Sequence, residues 1–138
     1  QRADGLAVLN DAYNANPDSM AAALGAVARM RRADGRVIAV VGDMLELGEA
    51  AETEHHRIGQ LAANLGIDEL IALGEHGASV AAGFAAGGGA ARYFPEKDAV
   101  PGVLAGRTGP ADIVLVKASR GLGLETVAQA LLTEGVSQ

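Results

Sequence analysis

The chain has no cysteine and no tryptophan, and only two tyrosines and two phenylalanines among 138 residues. Without a thiol there is no disulfide framework and no thiolate nucleophile, and a cytoplasmic setting is weakly favoured. With so few aromatics, the core must be built from Ala, Val, Leu and Ile, which dominate the 49% hydrophobic fraction. No uninterrupted apolar run approaches the roughly 18 residues of a membrane-spanning helix. Basic residues are also scarce: 11 Lys and Arg face 17 Asp and Glu, for a net charge of −6. That balance argues against nucleic acid or an anionic membrane as partner, while leaving room for a local phosphate pocket. Three catalytic signatures are missing as well. There is no G-x-x-x-x-G-K-[ST] phosphate loop, no G-x-S-x-G elbow, and "GLGLET" places Thr126 where the last glycine of G-x-G-x-x-G belongs. An ATP site held by this chain alone is not expected.

What is present is an alternation of β-type runs and helical patterns. The spacing predicts strands at 6–9, 36–42, 69–74, 91–94 and 112–118. It predicts helices over 16–32, 52–66, 76–86, 96–107 and 124–135, the fourth interrupted at Pro101. "RVIAVVG" is almost continuously apolar, as a parallel strand covered on both faces must be. In the first helix, Asn16 is placed to cap and Pro17 suits a position that needs no N–H donor. Met20, Leu24 and Val27 recur on one helical face, as do Ile58, Leu61 and Leu65 in the second. Gly66 is a C-terminal stop, and glycines weaken the third helix. "AAGGGA" reads as a flexible surface loop. The alternation indicates an α/β fold, an open and mostly parallel sheet with right-handed crossovers.

Ligands of such sheets gather at the carboxyl ends of strands. Three polar segments fall there: "NDAYNANPD", "GDMLELGEAAETE" and "KASRGLG". The first leads into a helix N-terminus, which favours anions. The third joins Lys117, Ser119 and Arg120 to glycines, a set able to hold a phosphate or carboxylate. Each has a plainer reading. Asn, Asp and Ser are common turn and cap residues, and Lys117 and Arg120 can be surface charges. Asp43, Glu46, Glu49, Glu52 and Glu54 suit a solvated acidic loop better than a metal cluster. His55 and His56, adjacent on a helix, point about 100° apart and cannot share a metal face.

Taken together, "NDAYNANPDSM", "VVGDMLELGEAAETEHHRIG" and "LVKASRGLGLE" resemble the C-terminal domain of the Mur ligases, over nearly the whole chain. The first two motifs resemble the branch of that family that joins D-Ala-D-Ala to UDP-N-acetylmuramoyl-tripeptide. The resemblance implies a Rossmann-like domain with helices on both sheet faces. It implies an ATP-dependent peptide ligase of peptidoglycan precursor synthesis, working in the cytoplasm through an acyl phosphate. ATP and Mg2+ would be bound mainly by a central domain, and an N-terminal domain would hold the UDP-substrate. Residues 1–138 would then be a single domain cut from a three-domain enzyme and inactive alone. By the same resemblance Asp11 approaches the ATP ribose. Tyr13, Asn14 and Asn16 face the incoming dipeptide, and Lys117, Ser119 and Arg120 line the same cleft. Asp43 and Glu46 are expected to shape the cleft, with no metal role. Ala12 and Asn10 stand where many relatives have serine and aspartate.

Two alternatives share the fold. A folylpolyglutamate synthase-like ligase of the same superfamily would lack "GDMLELGE" and "YNANPDSM". A non-catalytic binding module of the flavodoxin or receiver type is the other. A receiver needs an aspartate after its third strand, where Gly74 and Glu75 stand here.

Overall fold

A computed structural model of the chain describes residues 7–11, 16–44, 47–94, 109 and 111–117. Strand β1 (Ala7–Asp11) leads to helix α1 (Pro17–Arg29), strand β2 (Val37–Val41), a 3-10 turn at Gly48–Ala50 and helix α2 (Ala51–Asn64). Strand β3 (Glu69–Leu73), helix α3 (Gly77–Ala86), strand β4 (Ala91–Phe94) and strand β5 (Ile113–Lys117) follow. The five strands form one sheet in the order β1-β5-β2-β3-β4, every neighbouring pair parallel. The expected α/β fold is therefore observed. The helices expected at 96–107 and 124–135 lie outside the described residues.

The order means that β1 reaches β2 across β5, which returns from the far edge to fill the gap. The three crossovers from β1 to β4 all run in the same direction, so right-handed connections put their helices on one face. The packing agrees. Met20, Leu24 and Val27 of α1, Ile58 and Ala62 of α2, and Val80 and Phe84 of α3 form one cluster with Val37, Ala39 and Val41 of β2. Leu70, Ala72, Ile113 and Leu115 join it from the neighbouring strands. The alternate residues Ile38, Val40, Ile71, Val114 and Val116 face the other way and are also fully buried. Two buried faces explain why β2 and β5 carry so few polar residues. Each fully buried aliphatic chain contributes about 1.5–3 kcal/mol, so many small contributions replace the missing aromatics.

Most boundaries shift by a residue or two from the sequence reading. β1 extends to Asp11 because its ladder with β5 continues through Asn10↔Val116 and Asp11↔Lys117, so residues expected in a loop are strand. α1 stops at Arg29, with Met30 as its C-cap. Beyond it, Arg31 turns to the Asp68 carboxylate and the Gly66 carbonyl. α2 begins one residue early, after the 3-10 turn.

The intrinsic cost of glycine in α3 comes with a packing role. A Cβ on Gly83 would lie 1.9 Å from the carbonyl oxygen of His56, and one on Gly59 would lie 2.0 Å from that of Val80. α2 and α3 thus touch backbone to backbone, at a separation that only glycine permits.

At the amino edge of the sheet, Asp112 joins two segments. Its Oδ1 accepts from the Arg36 N–H at 2.8 Å, and its Oδ2 accepts from the Gly109 N–H at 2.8 Å and Arg36 Nη2 at 3.2 Å. Burial alone would raise this carboxyl. The two N–H groups and the guanidinium outweigh burial and hold it below its ordinary value.

Candidate functional site at the carboxyl edge of the sheet

Sheet register sets the site. At the carboxyl edge, Asp11 of β1 is opposite Lys117 of β5, which is opposite Val41 of β2. The next residue along β2 continues the ladder, since the Gly42 N–H donates to the Lys117 carbonyl at 2.9 Å. The first and third polar segments, over one hundred residues apart in sequence, therefore start from adjacent strand ends. Lys117 is only 1% exposed. It is not the surface charge that its sequence also allowed. By strand alternation it lies on the face of Ile113 and Leu115, toward α1.

Asn16 is exposed, and its side chain is in use. Its Oδ1 accepts from the Ser19 N–H at 2.9 Å, and Ser19 Oγ accepts from the Asn16 N–H at 3.1 Å. This reciprocal capping box, with Pro17 in the first turn, fixes the start of α1 at the carboxyl edge. The side chain of Asp11, and Tyr13, Asn14, Glu46, Ser119 and Arg120 as a whole, lie outside what the structure describes.

The second segment is not a solvated acidic loop throughout. Asp43 is buried. Its Oδ2 accepts from the Glu75 N–H at 2.9 Å and its Oδ1 from the His76 N–H at 2.8 Å. His76 is the N-cap residue of α3, and its own side chain makes no capping bond. Asp43 thus caps a helix from a neighbouring loop, and a charged acceptor at that end also suits the helix dipole. Gly74, with φ at +91°, makes the turn possible. Tyr93 holds the turn from its other side, its hydroxyl donating to the Gly74 carbonyl at 3.1 Å.

His55 holds the same segment from below. It is buried, and its Nε2 accepts from the Met44 N–H at 2.9 Å. Its Nδ1 therefore carries the proton and donates to the Ala51 carbonyl at 2.6 Å. Burial lowers the basicity of the ring more than the Ala51 bond restores it. Its neighbour across the loop is the His76 ring, with centroids 4.6 Å apart. Considering His55 only as a metal ligand missed this role. Its one sequence signal is position, a histidine one turn after the helix start and close behind a strand-end loop. His56, as its spacing required, points elsewhere. It lines a cavity of about 530 Å3 between α2 and α3 with Arg57, Gln60 and Ser79, away from the candidate site residues.

A parallel sheet with capped helix starts and a buried lysine at its carboxyl edge defines an open α/β domain, of the kind whose carboxyl edge commonly receives ligands. Comparison with known proteins makes that specific. The family model of the Mur ligase glutamate ligase domain matches residues 1–120, so the chain belongs to the Mur ligase family. It is 40% identical to the UDP-N-acetylmuramoyl-tripeptide–D-alanyl-D-alanine ligase of Mycobacterium tuberculosis, over 96% of this chain and 30% of that one. It is 35% identical to the ligase of the same name from Escherichia coli, over 98% of this chain and 29% of that one. Among solved structures, MurF ligase from Thermotoga maritima in complex with ADP superposes with a TM-score of 0.82. That match has 24% identity and covers 99% of this chain and 30% of the other. MurF from Acinetobacter baumannii gives 0.72 at 29% identity, covering 88% and 27%. The chain thus spans about 30% of the length of the relatives it matches.

Proposed function

We propose that this chain is the C-terminal domain of a MurF-type ligase, which uses ATP to join D-Ala-D-Ala to UDP-N-acetylmuramoyl-tripeptide in the cytoplasm. The observation that carries the reading is 40% identity over 96% of the chain to a ligase of that name. The register supports it by setting Asp11 beside Lys117 at the edge where parallel sheets bind ligands.

The chemistry assigns a role to each residue type. A carboxylate is a poor electrophile until it becomes an acyl phosphate, and the incoming amine then attacks through a tetrahedral intermediate. Orientation, neutralisation of charge and exclusion of water govern such a step. A domain closing over the site supplies all three. In this reading Asp11 accepts from the ATP ribose hydroxyls. Tyr13, Asn14 and Asn16 face the dipeptide, Asn16 through its Nδ2 because Oδ1 is held in the cap. Lys117, Ser119 and Arg120 hold the dipeptide carboxylate. The sequence has no phosphate loop. Among the described residues no three His, Asp or Glu side chains converge, and both oxygens of Asp43 are taken by N–H donors. By the likeness to the ligase family, ATP phosphates and Mg2+ fall to the central domain of the same protein.

A ligase assay on the full-length protein tests this. ADP release requiring both the muramoyl tripeptide and D-Ala-D-Ala is the expected result. Activity with glutamate and a folate instead would replace it with the synthase reading. Asp11→Ala should weaken ATP use without unfolding the domain, and unchanged ATP kinetics would remove the ribose role.

A further inference from the structure

We propose that His55 is a positioning residue for the carboxyl-edge site, a latch that holds the Gly42–Met44 segment only while its ring is neutral. The substrate side of this proposal rests on the ligase reading above; the latch itself does not. The geometry is a chain of three grips on one short segment. The Gly42 N–H is bound to β5 beside the candidate ligand residue Lys117. Asp43 is bound to the start of α3. The Met44 N–H is bound to α2 through Nε2 of His55. His55, 1% exposed, thus hydrogen-bonds this segment to α2.

The latch is directional. Nδ1 donates to Ala51 within the same helix, and that bond survives protonation. Nε2 is an acceptor in the neutral ring and becomes a donor in the cation. An imidazolium N–H would then meet the Met44 N–H, donor against donor, at a contact of 2.9 Å. Of the groups facing the ring, His76 of the α3 turn opposes a positive charge, while Asp43 of the loop and Glu54 of α2 favour it. Burial tips the balance to the neutral form, which also suits the His76 ring tilted against it. Acidification therefore cuts one grip at one end of the site and leaves the helix intact.

Two variants of the full-length ligase separate latching from mere folding. In His55→Asn, the side-chain amide takes the place of Nδ1 and no atom reaches Met44. In His55→Gln, the longer chain returns an acceptor oxygen to the Nε2 position. At pH 8, Asn should raise the KM for D-Ala-D-Ala about tenfold or more, the scale expected of a small misplacement, and Gln should recover most of that loss. Because burial lowers the basicity of the ring, the wild-type KM should stay level through the ordinary histidine range and climb only at lower pH, and the Gln profile should stay flat there. A folded Asn variant with wild-type KM, or a Gln variant with the wild-type acid limb, overturns the positioning role. A second measurement does not depend on catalysis. NMR should show the Met44 amide shifting with the same midpoint as the His55 ring. A Met44 amide that ignores that titration overturns the latch. If the amide shifts but D-Ala-D-Ala is not a substrate, the ligase reading fails and the latch stands.

Discussion

A Cβ on Gly74 would stand 2.6 Å from Oδ2 of Asp43. The end of β3 turns directly over the carboxylate that caps α3, and the turn needs both a bare α-carbon and a φ of +91°.

Gly74→Ala should therefore destabilise the domain by about 2–3 kcal/mol, combining a strained backbone with displacement of a buried acceptor. Urea unfolding measures it. A loss within about 0.5 kcal/mol, the range of neutral surface changes, would show that the turn tolerates a side chain.

Gly83→Ala sets two effects against each other. Alanine gains up to about 1 kcal/mol in helix propensity. A Cβ 1.9 Å from the His56 carbonyl forces α2 and α3 apart, at about 1–3 kcal/mol. The clash should win. Gly25→Ala in α1 is the control, because its Cβ would meet only the end of Arg29 at 3.4 Å. It should stabilise, and thermal melts of the pair should move in opposite directions.

Asp112 gives a pH signature of stability. Its carboxyl is held below the ordinary value in the folded state, so the unfolded chain binds the proton more readily. The contribution is complete above the ordinary carboxylate pKa and is lost as pH falls through the folded one. Asp112→Asn should start less stable and lose less on acidification. Denaturation midpoints from pH 7 downward check this, and parallel curves for the two proteins would contradict it.

Asn16 tests a cap against a contact. Asn16→Ala should cost about 1 kcal/mol, and Asn16→Ser should keep the cap. If Asn16 also faces the dipeptide, the Ser variant of the full-length ligase should melt like wild type yet show a raised KM. A KM restored along with stability would leave Asn16 as a cap alone.

The strands and the first three helices were legible because their signals are local. Met20, Leu24 and Val27 have helical spacing, and "VIAVV" has nothing polar to expose. The capping of α1 by Asn16 and Pro17 was legible for the same reason. What could not be read were bonds between distant segments. Asp43 looked like one acid among several until β3 brought the Glu75 and His76 N–H groups beneath it. Lys117 looked equally like a surface charge until β5 slid between β1 and β2. Gly83 looked like a weak point of a single helix, because only the pair of helices shows why it and Gly59 are there. The extension of β1 to Asp11 was hidden by its polarity, since ladder pairing and not hydrophobicity continues it.

The place of β5 also bears on the order of assembly. Residues 37–94 contain β2, β3 and β4 with α2 and α3, neighbours in sequence as well as in space, so their contacts close short loops and form early. Among the described strands β1 pairs with β5 alone, whose residues leave the ribosome last of the five. Until β5 inserts, β1 has no ladder to join, and the Asp11–Lys117–Val41 row does not exist. The half of the domain that is complete first is the scaffold. The candidate edge is completed only by β5, the last of the described strands, so a nascent chain stalled before residue 113 carries His55 and the Gly42–Met44 segment but lacks Lys117.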